Sequence, residues 1–157
     1  MIQYYSVMMP FAVALSDHIG FGGTAGGAFV VAKDTSKGYI TGGGWSYGLM
    51  GYAAGGHSVS TGKGATLTVD IGFSWQAQKV TDLRGWFHEV GESFTSPAPF
   101  LFFGMNAAGF TASQGINKEG GFNGIYLWTA SFGWGTSGGN VGLEAHSYVG
   151  RTWVKEL

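Results

Sequence analysis

The stretch Ala65-Thr66-Leu67-Thr68-Val69-Asp70-Ile71-Gly72-Phe73-Ser74-Trp75 alternates without a break. Leu67, Val69, Ile71, Phe73 and Trp75 fall on one side, and Thr66, Thr68, Asp70, Gly72 and Ser74 on the other. Successive Cβ atoms of a strand point to opposite faces, so a period of two predicts a β-strand with one apolar face. Working outward from it, turn signals cut the chain into further segments of the same kind. The expected fold is all-β: an antiparallel meander of about eight strands in one domain over residues 1–157, closed or nearly closed into a β-barrel.

The first strands are expected at 2–16, with Pro10 requiring a bulge or an edge, and at 19–32. Lys33-Asp34-Thr35-Ser36-Lys37-Gly38 reads as a hairpin turn, polar and closed by glycine. A strand at 39–47 follows, then a Gly-rich return at 48–58, a turn at 60–64 and the strand 65–75. Residues 76–82 make a polar corner before a strand at 84–93. Pro97 and Pro99 break the ladder because neither can donate a backbone hydrogen bond. Strands are expected again at 100–113, 122–134 and 141–154, separated by turns at 114–121 and 136–140.

Thirty of the 157 residues are glycine and 16% are aromatic. Glycine costs strand stability, so this many suit a tightly coiled sheet in which backbone lies beneath a neighbouring ring. The aromatic side chains opposite are expected to supply the buried area. Only 11% of the residues are charged, with net charge −1, against about 25% in ordinary soluble domains. The surface must therefore be covered largely by Gly, Ser, Thr and aromatic groups, which suits contact with a membrane, a carbohydrate or a second copy of the chain. No basic run is present, which excludes nucleic acid as a partner. Cysteine is absent, so thiolate metal sites, disulfides and cysteine nucleophiles are excluded. Residues 4–16 are apolar like the core of a signal peptide, but no basic residue precedes them, and a first strand is expected there instead.

Candidate chemistry is sparse, and no cofactor or metal site is expected. His88-Glu89-Val90-Gly91-Glu92 has half of a zinc-protease motif and lacks the second histidine. On a strand, His88 and Glu92 share a face with Arg84, while Glu89 points the other way. Such a row can hold an anionic or hydroxylated ligand, or form a solvated stripe. Glu144 and His146 share a face of the last strand with Tyr148 and Thr152, and a carboxylate beside an imidazole can orient a general base. Ser60-Thr61-Gly62-Lys63 has the spacing of certain acyl enzymes, but its Gly-flanked setting is that of a turn. His18 and His57 stand alone and read as turn residues. Phe122, Tyr126, Trp128, Phe132 and Trp134 line one face of a single strand and are the candidate ligand- or membrane-facing residues.

Asp82-Leu83-Arg84-Gly85-Trp86, Gly91-Glu92-Ser93, Gly121-Phe122-Asn123-Gly124, and Val141 to His146 leading to Thr152-Trp153-Val154 occur in that order. Together they resemble a Gly-rich β-domain near the C-termini of bacterial RHS/YD-repeat and related secreted proteins, over about residues 68–154. Glu92 stands where that domain usually has a second glycine. The resemblance implies a bacterial origin and secretion or delivery out of the producing cell, and it brings no catalytic residues.

Three functions follow as expectations. The first is a non-enzymatic secreted or delivered domain acting through its surface, on a membrane in the manner of a toxin or by self-assembly into a homo-oligomer. The second is a barrel binding a small apolar or sugar ligand against the 122–134 aromatic face. A hydrolase using His88 and Glu92, or Glu144 and His146, comes last. The direction in which the five aromatic residues point separates the first two: a hollow interior favours a ligand, an outer band favours a membrane or partner.

Overall fold

A strand whose polar face carries only Thr, Ser, Gly and a single Asp can turn that face inward only if the interior itself is polar. In the computed structural model this is what β4, Gly64–Phe73, does. The structure describes residues 6–16, 19–34, 43–61, 64–136 and 141–157, with side chains from Gly22 onward. The other strands are β1 Ser6–Ser16, β2 Ile19–Lys33, β3 Trp45–Ser60, β5 Gly85–Thr95, β6 Ala107–Ile116, β7 Phe122–Gly135 and β8 Gly142–Glu156. Every ladder is antiparallel.

Strands β2 to β8 form one continuous curled sheet of seven, in the order β2-β3-β8-β5-β6-β7-β4. β1 pairs with β2 on one side and β4 on the other. The consecutive order of a meander holds for β1-β2-β3 and for β5-β6-β7. β4 instead returns beside β1, and β8 beside β5, so each half of the chain has Greek-key order.

Several local expectations are met and others corrected. The register of β1 shifts between Met8 and Phe11 against β2, at the bulge Pro10 demands. Residues 48–58 are no return: they lie inside β3, paired without interruption to β2 and β8. Glycine there lets strands approach; a Cβ on Gly56 would lie 3.2 Å from Tyr148 Cα. Of the strand expected at 39–47, residues 45–47 open β3; residues 39–42 of it and 35–38 of the preceding turn lie outside the described residues, as do 2–5, 17–18, 62–63 and 137–140. The strand expected at 100–113 begins only at Ala107. Before it, Phe102–Gly104 forms a short 3-10 turn with Phe103 (φ 59°) and Gly104 (φ 70°) in the left-handed region, which no strand accommodates. His57 lies in β3, not in a turn.

One end of the sheet is closed by an apolar plug. Ala28, Val30 and Ala32 of β2, Met50 of β3 and Val154 of β8 pack with Ala77 and Val80. Val80 belongs to a 3-10 turn, Val80–Leu83, in the β4–β5 connection. This is the one sizeable apolar cluster inside the sheet among the described residues. Above it the interior becomes polar.

Candidate functional site: a polar interior and an apolar outer band

The inward face of β8 carries Glu144, His146, Tyr148, Gly150, Thr152 and Val154, and its outward face carries Leu143, Ala145, Val149 and Trp153. β4 repeats the division, with Thr66, Thr68, Asp70 and Ser74 inside and Leu67, Val69, Ile71, Phe73 and Trp75 outside. The expectation that aromatic side chains fill a core is therefore inverted. Burial of hydroxyls and carboxylates beneath an apolar exterior gives the sheet no hydrophobic reason to close in water.

Glu144 and His146 meet as their spacing predicts: His146 Nδ1 lies 2.8 Å from Glu144 Oε1. The structure adds Glu89, from the neighbouring strand β5, whose Oε1 is 3.3 Å from His146 Nε2, off the line of a hydrogen bond. Ser93 donates to Glu144 Oε2 at 2.9 Å, and the Tyr148 ring stacks on His146 with centroids 4.2 Å apart. Room for these rings comes from glycine. A Cβ on Gly22 would collide with the Tyr148 phenol, and one on Gly91 would lie 2.7 Å from His146 Cε1. With both ring nitrogens turned to carboxylates, His146 has none left to activate a nucleophile. Ser93 bonds to Glu144, not to the imidazole. The cluster is an ion-pair clamp joining β5 to β8.

Deeper in, Asp70 is fully enclosed between the Thr68 and Ser131 hydroxyls, with Oδ1 lacking a partner among the described residues. Lining the same space, Tyr52 of β3 hydrogen-bonds Thr24 of the neighbouring β2. The remaining void is about 150 Å³ and is lined by Tyr52, Asp70, Glu89, Thr129, His146 and Tyr148, among others. A void of that size among hydroxyls and carboxylates has room for several water molecules.

The other candidates do not join this cluster. His88 points outward and shares a 2.8 Å hydrogen bond with Ser147. Glu92 is exposed on the same outer face. Arg84 precedes β5, and its guanidinium donates to the Val154 carbonyl at 2.9 Å, which ties the plug to β8. His88 and Glu92 thus share the outer face as the alternation predicts, and the Arg84 guanidinium is turned to the β8 backbone. Glu89, the residue of that segment turned the other way by the strand alternation, is the one that reaches the cluster. Nothing in β5 alone marks it; its partner lies on β8.

Phe122, Tyr126, Phe132 and Trp134 are all exposed, Phe122 to 58%, and Trp128 is half-buried beside them. They face outward, and none of them lines the interior void. They belong to a band that runs over every strand with described side chains. Toward the plugged end it carries Trp45, Tyr47, Trp75, Trp86, Tyr126 and Trp153. Its middle is aliphatic, with Val69, Ile71, Val90 and Val149. Toward the other end come Phe110, Phe132 and Trp134. Trp128 joins the band's rings, 6.5 Å from Trp75 and 5.9 Å from Phe110. The band has polar interruptions: His88 and Ser147, bonded to each other, lie opposite Val149 and Val90, and Glu92 and Arg151 lie farther along the same two strands. Arg151 lies over Trp86 and Trp153, with its guanidinium 5.7 and 5.9 Å from the ring centroids.

Among the described residues no group of three or more His, Cys, Asp or Glu is arranged to hold a metal ion. Comparison of the chain with protein-family models, curated proteins and solved structures finds no match.

Proposed function

We propose that the chain is a membrane-inserted β-barrel, with its eight strands closed into a ring whose outer face meets lipid and whose interior is kept from it. The single observation that carries this reading is the inversion of polarity. Apolar side chains face outward on every strand with described side chains, and hydroxyls, carboxylates and a histidine face inward. A protein partner covers one patch of a surface, whereas a bilayer covers a belt. Aromatic girdles flanking an aliphatic middle, around a polar interior, are the pattern of lipid-embedded barrels. Strands of 10 to 16 residues with described side chains suffice, since ~9–11 tilted residues cross the hydrocarbon core. No helix among the described residues is long and apolar enough to cross a membrane, and a barrel needs none.

The Greek-key order differs from the up-and-down order of outer-membrane barrels, so surface polarity supports the reading and fold likeness does not. The apolar plug and the small void support an anchor or membrane-perturbing barrel over an open channel. Secretion or delivery from a bacterial cell, which the resemblance to RHS/YD-associated domains implies, suits a chain that meets its membrane from outside. No feature of the interior among the described residues supports hydrolysis.

Flotation with liposomes tests the proposal. The purified chain is expected to rise with the lipid and to resist extraction by high salt or carbonate. A chain that stays in the dense fraction as a discrete soluble oligomer would assign the outer band to self-assembly and overturn the membrane reading.

A further inference from the structure

The two ends of the barrel differ in a way the outer band alone does not require. The plugged end carries Lys33, Asp34, Lys79, Asp82, Arg84, Lys118, Glu119, Lys155 and Glu156. At the opposite end, the described connecting residues (61, 96–106, 136 and 141) contain no charge. Residues 17–18, 62–63 and 137–140 of these connections, which include Asp17, His18 and Lys63, lie outside the described residues.

The 96–106 connection has instead the sequence Ser-Pro-Ala-Pro-Phe-Leu-Phe-Phe-Gly-Met-Asn. It holds its rings out: Phe103 is 84% exposed and Phe102 is 68% exposed, the two packed edge to face at 5.5 Å. This is a built loop. Asn106 donates to the Ser96 and Gly135 carbonyls, both at 2.8 Å, and accepts from the Gly135 amide at 2.8 Å. The Phe100 amide bonds the Met105 carbonyl and the Met105 amide bonds the Phe102 carbonyl. Trp134 Nε1 donates to the Phe103 carbonyl at 3.1 Å, which ties the tip to the outer band. Phe103 takes a left-handed conformation (φ 59°, ψ 26°) that a phenylalanine rarely adopts, and the surrounding bonds hold it there. Braced strain at an exposed apolar tip points to a contact made outside the chain.

We infer that this loop is the leading edge of insertion: the end that carries it enters the bilayer first, and the heavily charged plugged end stays on the side of addition. The inference rests on the membrane reading and adds a direction to it. Its occupant is lipid. The tip has no charge for a headgroup to read, it is continuous with the outer band through Trp134, and the opposite end carries the charges that resist transfer through hydrocarbon.

The test uses the absence of cysteine. Phe103→Cys, Phe102→Cys and Lys118→Cys are each labelled with a nitrobenzoxadiazole dye and added to preformed vesicles. Val69→Cys, labelled likewise, reports bilayer contact through quenching by brominated acyl chains. Dithionite added outside is expected to bleach the dye at 118 and to spare it at 102 and 103. Equal bleaching at both ends, with the dye at 69 still quenched by lipid, overturns the direction and leaves the membrane reading standing. Absence of quenching at 69, with bleaching everywhere, removes both.

Discussion

Asp70 and Ile71 are adjacent in β4, yet Asp70 is 3% exposed and Ile71 57%. The sheet encloses the carboxylate and presents the alkyl chain to its surroundings. In water this arrangement sacrifices hydrophobic burial and desolvates a polar group. In a bilayer the first of these costs disappears, because lipid tails are as apolar as the side chains they meet.

Ile71→Lys separates the two environments. In vesicles the variant is expected to lose about 2–4 kcal/mol of folding stability, the cost of a lysine at mid-bilayer depth on a barrel. An exposed lysine in water changes stability by only ~0.5 kcal/mol. Urea unfolding in phosphatidylcholine vesicles measures it, and an unchanged midpoint counts against lipid at this position.

The clamp of Glu89, His146 and Glu144 predicts a large and asymmetric response. His146→Ala leaves two enclosed carboxylates facing each other and is expected to destabilise by about 3–5 kcal/mol. His146→Ala combined with Glu89→Gln removes one of them and should recover part of that loss. Additive losses in the double variant, measured by denaturant unfolding, would show that the two residues do not interact.

Gly91 is the floor beneath the His146 ring. An added Cβ would lie 2.6 Å from Thr111 Cγ2, 2.7 Å from His146 Cε1 and 2.8 Å from the Phe110 carbonyl. Gly91→Ala is therefore expected to cost about 1–3 kcal/mol by overpacking, although alanine normally stabilises a strand relative to glycine. Thermal unfolding of the variant decides the sign.

The plug and the small void predict binding without conduction. Vesicles loaded with a calcein-sized dye are expected to bind the chain and keep their contents. Dye release in proportion to bound protein would mean that the interior opens or that several chains build a wider pore.

The strands were largely legible because period-two alternation needs no tertiary information; 65–75, 122–134 and 141–154 read directly. The direction of the faces was not, since an alternating strand has the same pattern whether its apolar side meets a core or a bilayer. What tells them apart is the company each face keeps: Asp70 among Thr66, Thr68 and Ser74, and Glu144 with His146, already mark faces with nothing apolar to bury. Residues 48–58 hid inside β3 because glycine lowers strand propensity, and only pairing to β2 and β8 overrides it. Residues 100–106 looked like strand because their apolar run gives no sign of the left-handed turn at Phe103. The clamp was half visible: Glu144 and His146 share a strand, whereas Glu89 is brought to them by the β5–β8 register.

A cysteine scan through β4, with an environment-sensitive dye and brominated lipids, tests the central claim most directly. Val69→Cys, Ile71→Cys and Phe73→Cys are predicted to be quenched by acyl-chain bromine, and Thr68→Cys and Asp70→Cys to be protected, giving an alternation with a period of two. Quenching at 68 and 70 in place of 69, 71 and 73, or at no position along the strand, would contradict it.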